Sequence, residues 1–128
     1  MSHPIDRMYS ETHEWFLAEG KTVTIGITQF AADELTDITY VELPAIGAKF
    51  EAGDALGEIE SVKATSEVLT AVGGTVVEVN GALVEHPELI NADAFEEGWV
   101  LRLTVESAEP LKSLMDAKEY KRFLRTAV

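Results

Sequence analysis

Glu60-Ser61-Val62-Lys63-Ala64 sets one lysine between two alternating apolar segments, Leu56 to Glu60 and Thr65 to Leu69. Two such segments around a short gap predict a β-hairpin, with Lys63 where the chain reverses. A hairpin tip is held from both sides while its side chain projects into water, so the amine is sterically free and fixed in place. Once deprotonated, that amine is a nucleophile. Small Ser61 and Ala64 leave room for a modifying enzyme to approach, and Glu60 offers it a charge to read. A turn lysine can equally do no more than solvate a surface, the ordinary role of exposed lysines. The five residues alone leave both readings open.

Other chemistries lack their residues. The chain has no Cys, which excludes disulfides, Cys-ligated zinc and thiol nucleophiles built from its own atoms. Its three histidines, His3, His13 and His86, are far apart and show no metal-ligand spacing, so no metal site is expected. No nucleophile-base pair or phosphate loop suggests an autonomous hydrolase or redox enzyme. Ten Lys and Arg against 23 Asp and Glu give a formal charge of -13, which repels a polyphosphate backbone and argues against nucleic acid as a partner. The acidic surface suits basic protein faces, or serves solubility alone.

The elements that must position Lys63 follow from periodicity. At 128 residues and 46% hydrophobic content, the chain is expected to form one domain, residues 1–128, with its own core. Lys21 to Ile27 alternates around β-branched residues and predicts a strand after the Glu19-Gly20 turn, with Trp15 and Phe16 in its hairpin partner. Thr28 to Asp37 predicts a short helix capped by Thr28, with Phe30, Ala31 and Leu35 at helical spacing. Ile38 to Leu43 returns to strand-forming residues before Pro44. From Gly47 onward, short β-like pieces lie between turns at Gly53-Asp54, Lys63, Gly73-Gly74 and Asn80-Gly81, the spacing of an antiparallel barrel or sandwich. A last strand is expected over Trp99 to Val105. Glu109-Pro110 can open a helix, and Asp116 with Glu119 forms a capping-box pattern ahead of a C-terminal helix.

A weak repeat supports the β reading. Gly47 to Glu58 aligns without gaps on Gly74 to Glu85 at an offset of 27 residues, with five of 12 positions identical. Two copies are too few for a solenoid, and they suit two halves of one closed sheet related by an approximate twofold.

Many segments resemble, in order, the H protein family of the glycine cleavage system. They are His13-Glu14-Trp15, Ile25-Gly26-Ile27-Thr28, Val41-Glu42-Leu43-Pro44, Glu60 to Ser66, Gly74 to Asn80, Pro87 to Asn91, Gly98-Trp99 and Ala117 to Tyr120. The resemblance runs from about Tyr9 to about Leu124. Biotinyl domains typically show Met-Lys-Met at the modified residue, and the lipoyl domains of 2-oxoacid dehydrogenases Asp-Lys-Ala. Both fit Val62-Lys63-Ala64 less well.

The resemblance implies a mainly β fold, a flattened antiparallel β-barrel or sandwich of two quasi-twofold halves of the lipoyl/biotinyl-like hybrid type, with short peripheral helices including a C-terminal one. It implies lipoic acid in amide linkage to Lys63, with Glu60, Ser61, Val62 and Ala64 as the attachment turn that a lipoyl-attaching enzyme recognises. This would account for a redox carrier without cysteine, because the group brings both sulfurs. The implied partners are the pyridoxal-phosphate glycine decarboxylase, the tetrahydrofolate-dependent aminomethyltransferase and dihydrolipoyl dehydrogenase. The chain would carry the aminomethyl group of glycine between them and catalyse nothing itself. Thr12, Glu14 and Glu67 are the expected lining of a groove for the arm, where acceptors would hold the loaded ammonium. Ala71-Val72-Gly73-Gly74 departs from the Pro-x-Ser-Gly turn usual in the family, and Glu67 stands where Asp is common. A lipoyl donor or relay to other domains, and an unmodified interaction domain, are the competing expectations.

No apolar run approaches the roughly 20 residues that span a bilayer, and the start has no apolar signal core, so no membrane association is expected. A bacterial cytoplasm is the expected compartment, or the mitochondrial matrix for a processed eukaryotic form. A shuttle that visits several enzymes is most simply a monomer.

Overall fold

A computed structural model describes residues 3–126. The order of elements is β1 (Met8–Tyr9), β2 (Glu14–Glu19), β3 (Thr22–Ile27), α1 (Gln29–Leu35), β4 (Ile38–Glu42), β5 (Lys49–Phe50), β6 (Ala55–Ser61), β7 (Thr65–Leu69) and β8 (Gly74–Val79). There follow α2 (Ala82–Glu85), α3 (Leu89–Ala92), β9 (Leu101–Thr104), a 3-10 helix (Glu109–Ser113) and α4 (Ala117–Thr126).

The strands form two antiparallel sheets. Six lie in the order β1-β2-β3-β9-β8-β5 and three in the order β4-β6-β7. The alternation of β3 buries Val23 and Ile25 on the face turned toward the smaller sheet, beside Phe16, Leu101, Leu103 and Val76. Ile38, Val41, Ile59 and Val68 of the smaller sheet meet them in one continuous core. The opposite face of the larger sheet is also covered. There Tyr9, Trp15 and Tyr120 are fully buried, with Phe95, Trp99 and Phe123 packed around them and α4 laid across. The Trp15 ring lies flat over its ladder partner Gly26, where an added Cβ would stand 2.6 Å from the ring.

Capping signals proved local enough to read. Thr28 caps α1 by accepting the Ala31 N–H at 3.2 Å. Asp116 and Glu119 exchange reciprocal bonds of 2.8 and 3.0 Å at the start of α4. The face that α1 buries differs by one residue from the expectation: Ala32 and Leu35 face the core, while Phe30 and Ala31 are half-buried.

Of the expected barrel or sandwich, the sandwich is found. The sheets share no ladder among the described residues, so the closed sheet that the repeat suggested does not form. The chain passes between sheets at a corner after β5, only two residues long, where Gly53 takes the left-handed φ of 95° that suits glycine. The repeat holds only in part. Its opening residues do meet, β5 pairing antiparallel with β8 at Lys49↔Thr75 and Phe50↔Gly74. Beyond the turns the copies diverge, Ala55 to Glu58 being strand and Ala82 to Glu85 helix. The Asn80 carboxamide explains this. It donates to the Glu97 and Trp99 carbonyls at 2.8 Å each and accepts the Ala82 N–H, which curls the chain into α2.

Candidate functional site

Lys63 stands at the tip of the β6–β7 hairpin, as expected. The hairpin is in register at Glu60↔Thr65, Ile59↔Ser66 and Glu58↔Glu67, and the Ser61 N–H donates to the Ala64 carbonyl at 2.8 Å to close the turn. The Ser61 hydroxyl does the rest. It accepts the N–H groups of Lys63 at 3.1 Å and Ala64 at 3.0 Å, so the tip's backbone donors are satisfied without a glycine. Ser61 is therefore chiefly an internal brace. Val62, 71% exposed, is the apolar residue beside the lysine, and Ala64 is exposed on its other side. Glu60 is half-buried and lies in one cross-strand row with exposed Tyr40 and Thr65.

The tip rests on the end of α1. The Val62 N–H donates to the Asp37 carbonyl at 3.1 Å, and Lys63 Nζ donates to the Glu34 carbonyl at 3.3 Å. The last carbonyls of a helix have no partner within it and carry the negative end of its dipole. α1 has no basic residue in its own last turn, and Lys63 supplies the cation from the hairpin. This contact is exposed, so the amine is steadied without being enclosed.

Of the three residues expected to line an arm groove, Thr12 and Glu14 come together directly. Glu14 Oε1 accepts the hydroxyls of Ser10, at 2.6 Å, and Thr12. Its Oε2 accepts the Leu69 N–H at 3.1 Å. Glu14 is only 2% exposed, because residues 14 to 16 at the start of β2 are buried on both faces, so it is an internal acceptor rather than a groove wall. Burial raises its carboxyl above the usual carboxylate range, against the lowering effect of the donors that hold it. Thr12 is exposed. So is Glu67, which has no bond to either residue and points out of the small sheet, opposite Glu58.

Several groups have roles that the sequence did not indicate. His13 Nδ1 lies 2.7 Å from the Tyr120 hydroxyl, which in turn meets Thr28 Oγ1 at 2.8 Å, so α4 is tied to the residue just before β2 and to the cap of α1. Burial lowers the His13 pKa and pushes the Tyr120 phenol up to about 12. Asn91 in α3 stands out in the sequence only as part of a motif, yet its side chain bonds both ends of the link that carries the hairpin tip. An open concavity over Lys49, Phe50, Gly73 and Gly74 includes no residue of the hairpin.

Known proteins resemble this chain in sequence and in fold. Residues 7–127 match the family model described as glycine cleavage H-protein. Proteins named glycine cleavage system H protein are similar along nearly the whole chain. One from Thermus thermophilus is 47% identical over 126 residues, 98% of both chains. That of Methylacidiphilum infernorum is 42% identical over 125 residues, again 98% of both. The fold is similar to the crystal structure of a glycine cleavage system H protein from Mycobacterium marinum, with a TM-score of 0.86 and 33% identity, covering 98% of this chain and all of that one. A chain that matches the family model over this length, and its relatives at this identity, belongs to the glycine cleavage H-protein family.

Proposed function

We propose that this chain is a single-domain lipoyl carrier of the glycine cleavage system, with lipoic acid in amide linkage at Lys63 Nζ. The observation that carries the reading is the placement of Lys63. It is an exposed amine on a braced hairpin tip whose one side-chain partner among the described residues is a carbonyl at 3.3 Å. The surroundings fit the group. Among the described residues nothing encloses the amine, small Ala64 flanks it, and Val62 offers apolar surface to an acyl chain. The bound group supplies the dithiol chemistry that a chain without cysteine lacks.

The residues of the chain present and orient; they carry out no bond-making step. Ser61 fixes the turn, and the end of α1 sets where the side chain departs. Thr12 and Glu67 supply exposed polar atoms toward the arm, while Glu14 holds the Thr12 hydroxyl and the Leu69 amide from behind. The partners are glycine decarboxylase, the aminomethyltransferase and dihydrolipoyl dehydrogenase, between which the aminomethyl group of glycine and then the reducing equivalents pass. A lipoyl-attaching enzyme loads Lys63 beforehand, reading Glu60 and Val62 beside it.

The test is the intact mass of the protein from its native cells, beside the Lys63→Arg variant. A lipoyl-sized increment present in the parent and absent in the variant supports the reading. An unmodified parent from cells that lipoylate other proteins overturns it. Reconstitution with the decarboxylase and aminomethyltransferase then separates a glycine carrier from a lipoyl relay.

A further inference from the structure

The hairpin tip sits on a strained piece of backbone. Thr36, which ends α1, has φ 62° and ψ −147°. A positive φ with this ψ lies near a region left almost entirely to glycine, and a β-branched residue there costs about 1–3 kcal/mol unless its surroundings impose it. The next residue, Asp37, gives its carbonyl to the Val62 N–H, and Lys63 Nζ reaches Glu34 one turn earlier. The strained link thus holds the backbone of the residue next to the lysine, while Nζ itself rests on the helix just before the link.

One side chain imposes that conformation. Asn91 Oδ1 accepts the Ile38 N–H at 2.9 Å, and Asn91 Nδ2 donates to the Thr36 carbonyl at 2.7 Å and to Ala32 at 3.4 Å. The amide therefore clips the link before and after Asp37, a two-sided contact that needs both a donor and an acceptor. Gln29 anchors Asn91 in turn. Its Nε2 donates to the Asn91 carbonyl at 2.7 Å and its Oε1 accepts the Ala94 N–H at 3.1 Å. The path from Asn91 to the tip is continuous: carboxamide, link 36–38, Asp37 carbonyl, Val62 amide.

We infer that Asn91 is a positioning residue for Lys63, holding the 36–38 link in the strained shape on which the hairpin tip rests. It touches neither the lysine nor anything attached to it, and it acts on the rate at which Lys63 is acylated by fixing where the amine stands. The inference rests on the carrier reading of Lys63.

The test uses the full, unmodified chain and its Asn91→Asp variant, which keeps shape and the acceptor for Ile38 but loses both donated bonds. Amide hydrogen exchange is followed at Val62, with Ile25 and Leu103 in the central strands as internal references. The kcat/KM for attachment of lipoate to Lys63 is measured with a lipoyl-attaching enzyme and ATP. Exchange at Val62 is expected to quicken about tenfold with the references unchanged, and kcat/KM to fall about tenfold, the scale of a small misplacement of a reacting group. Adding Thr36→Gly, which adopts the same φ without strain, is expected to restore much of the Val62 protection. Parent-like exchange and kcat/KM in Asn91→Asp overturn the inference. Equal quickening at Val62 and at the references also overturns it, because Asn91 would then be merely structural. If the parent itself accepts no lipoate the carrier reading fails, while exchange at Val62 still decides the positioning role.

Discussion

The Glu14 carboxylate, at the start of β2, accepts the backbone N–H of Leu69, on β7, at 3.1 Å. One buried side chain thereby joins the six-stranded sheet to the hairpin that carries Lys63. In Glu14→Gln an amide NH2 replaces one of the two acceptor oxygens, so either the Leu69 N–H loses its acceptor or the Ser10 and Thr12 hydroxyls must turn round to accept. The expected loss of stability is about 1–3 kcal/mol, measured by urea unfolding at pH 7.

The same residue has a pH signature of definite sign. Burial raises its folded pKa above the 4.5 of the unfolded chain, so between the two values the folded state holds more protons. The part of its contribution that depends on holding a proton is then fully present below 4.5 and is lost as pH rises through the folded value, while the bonds that Ser10, Thr12 and Leu69 donate to the ionised carboxylate remain. Subtracting the Glu14→Gln stability curve from that of the parent should isolate a component that declines with pH above 4.5. A flat difference would contradict the buried assignment.

Tyr120→Phe removes the hydroxyl shared by His13 and Thr28. It should destabilise the fold by about 1–2 kcal/mol. The His13 pKa is lowered from 6.5 by burial, so its contribution has the opposite sign to that of Glu14, being lost as pH falls below 6.5. In His13→Asn, which tolerates the positive φ of 71° at this site, that loss should vanish from the unfolding curves.

Gly57 sits at the bulge of β6, where an added Cβ would stand 2.1 Å from the Glu42 carbonyl oxygen on β4. The obstacle is backbone, so no side chain can yield. Gly57→Ala should cost about 3 kcal/mol and release β4 first, seen as faster amide exchange at Val41 than at Ile25.

Glu42, Glu58 and Glu67 are direct ladder partners, three carboxylates in one row across the small sheet, and none has an ion-pair partner among the described residues. Like charges directly opposite destabilise a sheet. Glu58→Gln, in the middle of the row, should therefore raise stability by about 0.2–1 kcal/mol at low salt, with less gain as ionic strength rises. Thermal unfolding at two salt concentrations tests this.

What could be read from sequence was what is decided locally. The Lys63 hairpin follows from two alternating segments, and the Thr28 and Asp116/Glu119 caps from residues three apart. α2 and α3 did not show, since four residues give no period and the start of α2 is set by Asn80 bonds to the distant Glu97 and Trp99 carbonyls. Glu14 reads as a groove-lining carboxylate, because nothing in its neighbours tells that β2 is covered on both faces at this point. The role of Asn91, which the sequence shows only as the end of a motif, is hidden for a similar reason: its partners lie more than fifty positions away in the chain.

Every sheet margin among the described residues is guarded against aggregation. β1 and β5, at the ends of the larger sheet, are two residues long, too short to template a neighbour. Of the margins of the smaller sheet, β4 has an irregular register between Ile38 and Tyr40 and ends in Glu42, and β7 shows Thr65, Ser66 and Glu67 to solvent. Short, bulged or charged edges resist strand addition. For a carrier that must collide with several enzymes and part from each, this keeps encounters in the hands of side chains, where release is fast, and denies them the backbone zipper from which separation is slow.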